Sequence, residues 1–482
     1  ELLAAADALA SRDGFELTKI PITPPGTTQE SQWLQIRQLR PDYVILWGYG
    51  VMNPVALKIM EYFPLPNQPG TADGQQNFQN PTAVAFETYY TATGRVDHNI
   101  SAKHRIYGRF SWDFWEEEKD DRFDNLATGI FLNRKNRVLG LDDAYTFRNN
   151  LMMNIRGGFT RQLFPERRRS QGFDLSTLGF SSSLTSLVPQ GISAFPFVNF
   201  DGFQDFGVSE SGDGWFTTDV YSATGSLMWL VRSHNMKFGT EYRYYIEDAS
   251  RFSSAAAPQL NFSNTWTRGP LDNSSAAPFG QDFASFLLGL PTGGVMSRPA
   301  AYREKSSVLS FYAHDDWRVR NNLTLNLGLR WEIEQPLTEA EDRFVSGFDF
   351  ETPLPIAPTA QANYARNPIA EVPVSQFAVR GGLLYPDTGG PNKAWERNLG
   401  NIMPRAGFAW LVTPRTSIRG GYGMFYDILG ANRMTVNQVG FSRDTTLTPS
   451  LDNGQTFIAT LPNPFPSGLL EPVGSSLGLM TN

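Results

Sequence analysis

Cysteine is absent from the 482 residues of this chain, which excludes disulfide bonds, thiolate zinc sites and cysteine nucleophiles. Histidine is scarce: the four residues are His98, His104, His234 and His314, and only the first two lie close together in the sequence. We therefore expect no metal site. An excess of positive charge is also lacking, because the formal net charge is −7. We accordingly expect no nucleic-acid partner.

Long apolar runs and catalytic groupings are missing as well. The longest apolar run, Tyr43 to Met52, has about half of the roughly 20 residues that a transmembrane helix needs. Asp315 and Asp316 are adjacent, so in a strand they point to opposite faces and cannot form an acid–base pair. No signal peptide is visible at Glu1, where a start inside a helix favours an internal piece of a longer chain. We expect neither an enzyme nor a cofactor site.

Aromatic residues and glycine are abundant by contrast. Phe, Tyr and Trp make up 13% of the chain, and there are 43 glycines. This combination favours a β-rich architecture in which aromatic side chains form belts.

The first 58 residues have the pattern of a small α/β unit. Helical spacing in "ELLAAADALASRDGF" and "SQWLQIRQLRPD" predicts two helices, while "FELTKIPI" and "YVILW" are typical of strands, and Asn53 with Pro54 predicts the start of a third helix. The stretch "PPGTTQESQWLQIRQLRPDYVILWGYGVMNPVALK" resembles a periplasmic substrate-binding protein of the branched-chain amino-acid (leucine-binding) family. That resemblance covers residues 1–58 and implies a fraction of one lobe of a two-lobed protein; no binding residue is carried over.

From residue 59 onward the pattern is that of β-strands. In "LTLNLGLRWE", Leu323 to Trp331 at every second position alternate with polar residues, glycine or charged residues. Such a run matches the roughly 9–11 residues with which a tilted strand crosses a bilayer. Alternation alone suits a soluble β-sandwich and an outer-membrane barrel equally.

The connections favour the barrel over the sandwich, because short turns alternate with long segments. The predicted turns are Asn99–Lys103, Arg148–Asn150, Ser233–Asn235, Arg320–Asn322 and Thr413–Arg415. The long segments are Trp115–Arg137, Leu163–Tyr221, Asp248–Lys305, Gln335–Pro404 and Leu429 onward. Every second connection therefore lies on one side of about ten strands, as in barrels with short periplasmic turns and long extracellular loops.

Aromatic residues near the strand ends predict interfacial girdles. They are Trp112, Phe114, Trp115, Tyr242, Tyr244, Tyr245, Trp331, Phe425 and Tyr426.

Two charge clusters have alternative interpretations. "WEEEKDDRFDN" from Trp115 to Asn125 is interpreted as a solvated loop tip, with a Ca²⁺ site as the alternative, since its spacing does not follow an EF-hand. Arg167, Arg168 and Arg169 are interpreted as loop charge, with binding of a lipopolysaccharide phosphate or an anionic ligand as the alternative.

Several motifs after residue 58 resemble the barrel of Oar-like TonB-dependent receptors. They are "YFPLPNQPGTADGQQNFQNP", "ETYYTATGRVDHNISAKHRIYGRFSW", "HNMKFGTEYRYY", "SFYAHDDWRVRNNLTLNLGLRWE" and "NIMPRAGFAWLVTPRTSIRGGYGMFYD". The resemblance implies a plugged barrel of about 22 strands that takes up an unknown extracellular ligand with energy from a TonB-type protein. No plug is recognisable before Tyr62 and "SSLGLMTN" is loop-like, so we expect a partial barrel that does not transport by itself.

The sequence thus predicts a mainly β protein: a partial antiparallel outer-membrane barrel at residues 59–482, preceded by an α/β fragment at residues 1–58, with a join near Lys58–Ile59. The expected location is the outer membrane and the expected partners are its lipid, a TonB-type protein and the ligand. Two alternatives remain: a periplasmic amino-acid-binding module of an ABC transporter for residues 1–58, or a soluble β-sandwich adhesin.

Overall fold

The computed structural model describes residues 10–12, 14, 16–20, 38–39, 52–71, 76–80, 86–189, 191–209, 214–268, 280–430 and 435–479. The strands are β1 Phe86–Ser101, β2 His104–Lys119, β3 Ile130–Arg148, β4 Leu151–Arg168, β5 Phe197–Phe200, β6 Gly214–Val231, β7 His234–Arg251, β8 Gln259–Phe262, β9 Gly293–Arg298, β10 Tyr302–Arg320, β11 Leu323–Glu339, β12 Gly347–Pro353, β13 Arg380–Leu384, β14 Asn401–Thr413, β15 Thr416–Gly423 and β16 Arg443–Thr446. The α-helices are α1 Pro54–Met60, α2 Ser182–Thr185, α3 Gln281–Leu287 and α4 Ala357–Tyr364. None of the helices in these ranges has the length and apolar character to cross a membrane.

Ten strands form one antiparallel sheet, which we call the wall. Its order is β1-β2-β3-β4-β6-β7-β10-β11-β14-β15. The strands of this sheet therefore lie side by side in the order in which they follow one another along the chain, which makes it a meander. Two-residue turns join the strands at one end, at 102–103, 149–150, 232–233, 321–322 and 414–415. Long segments join them at the other end. The predicted partial barrel with short turns and long loops is confirmed, and the single sheet is unlike the two packed sheets of the β-sandwich alternative.

The wall strands are longer than the sequence predicts. Strands β1 to β4, β6, β7, β10 and β11 have 16 to 19 residues each. The predicted loop Trp115–Arg137 is therefore wrong in its bounds, since β2 continues to Lys119 and β3 begins at Ile130. Protein covers both faces of these outer ends, as the burial of Ile130 and Asn133 shows, so the polar–apolar alternation fades there.

One face of the wall is oily and carries two aromatic girdles. Leu327 and Leu329, near the middle of β11, have exposed fractions of 44% and 51%, as expected of side chains that face lipid. On the same face, an inner girdle lies near the short turns and consists of Tyr145, Trp229, Trp317 and Trp410. The outer girdle consists of Trp112, Phe114, Phe159, Tyr221, Tyr242, Tyr244, Phe311 and Trp331.

Some predicted girdle residues lie elsewhere. Trp115 and Tyr245 are on the opposite, luminal face, because strand neighbours alternate between faces. Tyr245 is buried in a small core with Val308 and Leu337. Phe425 and Tyr426 follow the end of β15.

The α/β pattern of the first 58 residues is described only in part. Residues 10–12 and 38–39 are helical, whereas residues 16–20, inside the predicted strand "FELTKIPI", form no strand. The predicted strand "YVILW" lies outside the described residues. Helix α1 begins as predicted, with Pro54 in its first turn and the Asn53 Oδ1 atom accepting the Val55 N–H at 2.9 Å.

The long segments pack into a layer outside the wall, which we call the outer layer. A four-stranded sheet in the order β16-β9-β8-β5 packs with α1 and α3 around one apolar core. Its fully buried side chains include Ile59, Leu178, Leu184, Phe195, Phe206, Leu260, Phe262, Phe286 and Met296. The outer layer is thus a folded unit built from segments that are far apart in the sequence.

Candidate functional site

The luminal face of the wall carries a network of opposite charges. On β7, Glu241 pairs with Arg243 at 2.6 Å, and from β11, Arg330 reaches both Glu241 at 3.0 Å and Glu332 at 2.6 Å. Strand β10 lies between β7 and β11 and places only Ser310 in this row, which leaves room for the long side chains to meet. Because each charge has a partner within hydrogen-bond distance, the network is a fixed polar surface on the inner side of the wall.

A cavity of about 390 Å³ lies beside this network on the same face. Its charged lining includes Lys237, Glu241, Arg330 and Arg405, so cations outnumber the single carboxylate. The Tyr312 ring crosses its floor over Gly239, where a Cβ atom would lie 2.4 Å from the ring. A larger residue at position 239 would therefore displace the Tyr312 ring. The cavity offers polar and positively charged groups to whatever enters the lumen.

Farther from the short turns, a row of carboxylates crosses three strands. Glu304 on β10 lies opposite both Glu247 on β7 and Glu339 on β11, and all three are buried. Glu339 accepts the N–H groups of Arg303, at 3.1 Å, and of Arg343, at 2.9 Å. The row therefore accepts hydrogen bonds from backbone N–H groups at the end of the lumen that lies away from the short turns.

The same carboxylate surface holds the segment that follows β15. Glu304 accepts the Val436 N–H at 3.1 Å, and Glu334 accepts the Gly430 N–H at 2.6 Å. Nearby, Val436 packs with Val308 and Leu337. These contacts fasten the chain at Gly430 and at Val436 to the inner face of the wall.

An acidic residue also organises the outer layer near its end. Asp452 accepts hydrogen bonds from the side chain of Thr456 at 2.6 Å and from its backbone N–H at 2.9 Å. Ser450 donates a further bond at 2.7 Å. Hydrogen bonding, from the Thr456 side chain above all, lowers the pKa of Asp452 to about 2.

The acidic cluster and the arginine cluster of the sequence come together in space. Arg169 lies 3.7 Å from Glu118 and 3.4 Å from Asp124, and it also contacts Asp121. Arg168 is buried, while Arg167 lies over the Phe131 ring at 4.9 Å. The three arginines therefore do not form one patch, and Arg169 neutralises part of the cluster for which Ca²⁺ was the alternative. Within the described ranges, no group of three or more His, Asp or Glu side chains is arranged to hold a metal ion.

Asp315 and Asp316 point to opposite faces, as the strand pattern predicts. Asp315 contacts His234 at 2.7 Å on the outward side, opposite Leu327 of β11. Asp316 faces the lumen, 2.9 Å from His314, and accepts a bond from Asn326. They do not form a shared acid–base site.

These features define a class: a strand meander with an oily outer face, two aromatic girdles and a charged inner face is the wall of an outer-membrane β-barrel. The sequence matches the family described as outer membrane beta barrel domain over residues 8–481, and the chain belongs to that family. The predicted location in the outer membrane is confirmed. The matched region extends across the predicted join at Lys58–Ile59.

Solved structures give weaker resemblances. The closed form of the ferric-catecholate import receptor Fiu from Escherichia coli K12 is 11% identical with a TM-score of 0.38, covering 76% of this chain and 49% of that one. The transporter YddB from Escherichia coli is 11% identical with a TM-score of 0.36, covering 70% and 40%. The alcaligin receptor FauA from Bordetella pertussis is 9% identical with a TM-score of 0.35, covering 70% and 35%. The chain thus spans less than half the length of these three proteins, and no curated relative matches it.

Proposed function

We propose that this chain forms part of an outer-membrane receptor that takes up a ligand from outside the cell. In this proposal it belongs to the Oar-like, TonB-dependent class, and a TonB-type protein supplies the energy for passage. The observation that carries the proposal is the division of the molecule into a lipid-embedded wall and a folded outer layer on the long-loop side only. A receptor needs such an outer layer to bind ligand before it enters the lumen.

The inner face of the wall supports this role. Its charge network and the cavity beside Lys237, Arg330 and Arg405 offer polar contacts to a plug or to a passing ligand. No catalytic step is proposed, since the carboxylates Glu241, Glu332, Glu304, Glu334 and Glu339 of this face are held in ion pairs or backbone contacts. The ten wall strands leave β1 and β15 as sheet edges, so we expect the residues described here not to transport alone.

The α/β fragment of residues 1–58 stays a proposal of its own, together with the alternative of an amino-acid-binding module. We propose that the join lies before Asn53 instead of near Lys58–Ile59. The supporting contacts are the burial of Ile59 in the outer-layer core and the bond from the Asn53 N–H to the Leu287 carbonyl at 2.6 Å. Helix α1 would then belong with the barrel, and single long DNA reads across the codons for residues 40–80 test where the two parts meet.

The receptor proposal is tested on the full-length protein in its own cells. We expect it to fractionate with the outer membrane and to migrate differently on a detergent gel before and after heating. We also expect the purified protein to retain the periplasmic domain of a TonB-type partner in a pull-down experiment. A barrel that binds no such domain would retain the membrane assignment and refute the TonB-dependent mechanism.

A further inference from the structure

A second cavity lies on the outward side of the wall. It has a volume of about 560 Å³ and lies between the outer ends of β10 and β11 and the segment 392–399; we call it the rim groove. Ser307 in its floor is opposite both Tyr244 and Gln335, and these residues share the face of Trp331 and the oily stripe. The rim groove therefore opens toward the surroundings of the barrel and not toward the lumen.

Along the bilayer normal, the rim groove lies at the level of the lipid headgroups. Its lower end includes Tyr244, which belongs to the outer girdle, and aromatic girdles mark the boundary between hydrocarbon and headgroups. Lys305 lies two residues from Ser307 on β10, on the side away from the short turns. It is therefore about 7 Å farther out along the strand than Ser307 and the Tyr244 residue paired with it. A headgroup layer is roughly 5–8 Å thick on each side of the bilayer, so Lys305 lies at its outer edge.

The charge of the rim groove is opposite to that of the chain as a whole. Three cationic residues, Lys305, Lys393 and Arg397, line it together with one acidic residue, Glu396. Lys393 pairs with Glu396 at 2.6 Å. Lys305 and Arg397 form no ion pair with any residue that the structure describes, in a chain whose net charge is −7. Two cations are thus available to an anion at this position.

The chemistry of these groups fits a phosphate carried on a sugar. The guanidinium of Arg397 can bind two phosphate oxygens at once, and the Lys305 ammonium adds a point charge. Gln335 and Thr338 provide polar side chains for sugar hydroxyls, and the volume lies within the roughly 300–1,000 Å³ typical of small-molecule sites. We propose that the rim groove binds the phosphorylated sugar headgroup of an outer-leaflet glycolipid. This inference needs only the outer-membrane location and does not depend on the transported ligand.

The test measures binding of a diphosphorylated diglucosamine lipid to the full chain in detergent, by native mass spectrometry and by isothermal titration. The double variant Lys305→Gln/Arg397→Gln is expected to bind about 100-fold more weakly, since each lost contact is taken as tenfold, or about 1.4 kcal/mol. Glu396→Gln, which releases Lys393, is expected to bind several-fold more tightly. Arg415→Gln at a short turn removes the same charge at the opposite end of the wall and should bind as the unchanged protein does.

Two further ligands separate a lipid headgroup from free phosphate. The dephosphorylated lipid should lose most of the affinity, and inorganic phosphate should compete only at much higher concentration than the lipid. Equal binding of both lipids, an unchanged affinity of the double variant, or inorganic phosphate binding as tightly as the lipid would each overturn the proposal. Lys305→Arg should retain binding, and unchanged circular dichroism of all variants excludes loss of fold as the cause.

Discussion

Leu327 provides the sharpest test of the orientation of the wall. It lies four residues from Leu323, which pairs with Trp410 of the inner girdle, and four residues from Trp331 of the outer girdle. Its exposed face therefore lies near the midplane of the bilayer. Arginine at the midplane of a barrel costs about 2–4 kcal/mol. Asp315 lies opposite Leu327 on the same face and can pair with the new guanidinium, so we expect the lower end of that range, and Leu327→Arg should lower the ratio of folded to unfolded protein roughly 30-fold.

The matched control is Asn326→Arg, one residue away and therefore at nearly the same depth. Asn326 faces the lumen and contacts Asp316, whose carboxylate would accept the new guanidinium. Each new arginine has an aspartate opposite it on β10, so the two variants differ mainly in facing lipid or lumen, and we expect a change of less than about 1 kcal/mol for Asn326→Arg. The assay is urea-dependent unfolding of the full-length protein in lipid vesicles, followed by tryptophan fluorescence. Equal losses for both variants, or a larger loss for Asn326→Arg, would mean that the assigned faces are reversed.

Three further predictions concern the outer layer. Phe286→Ala should destabilise it by about 3–5 kcal/mol, because Phe286 is fully buried, and hydrogen exchange should accelerate in α3 and β8 while the wall stays protected. Gly289→Ala should release α1, since a Cβ atom there would lie 2.2 Å from the Asn53 side chain at a backbone φ of +71°; faster proteolysis between residues 52 and 71 would report it. The lowered pKa of Asp452, about 2 against an ordinary 3.8, means that its stabilising contribution is complete above pH 3.8 and is lost as the pH falls through 2. Protection of residues 450–456 should follow that curve, and Asp452→Asn should abolish the pH dependence.

The part of the wall between the short turns and the outer girdle was predictable because one simple rule governs it. Lipid on one side and polar groups on the other impose a period of two, as in Leu323 to Trp331, and polar pairs such as Asn321–Asn322 mark the turns. Beyond the outer girdle the rule ends. Strand β3 begins at Ile130, well before the alternation is visible, because folded loops cover both faces there.

The carboxylate row and the meeting of Arg169 with Asp121 were not predictable in the same way. Glu247, Glu304 and Glu339 become neighbours only through pairings of β7, β10 and β11, and the β10–β11 register shifts between Lys305 and Ser307. A period of two read from the sequence places Glu339 on the wrong face, since such a shift has no local signature. Arg169 is 48 residues from Asp121, and only the pairing of β2, β3 and β4 brings them together.

The way in which the chain after β15 is fastened has a consequence for which residues can occupy its two points of contact. Glu304 and Glu334 hold the backbone N–H groups of Val436 and Gly430, which every residue except proline possesses. The hydrogen bonds alone would therefore tolerate most side chains, and packing sets the limit instead. Val436 is buried beside Val308 and Leu337, and a Cβ atom at residue 430 would lie 2.8 Å from the Ser306 Oγ atom. Exchange at these two positions is therefore limited by the space beside the wall and not by the loss of a hydrogen bond.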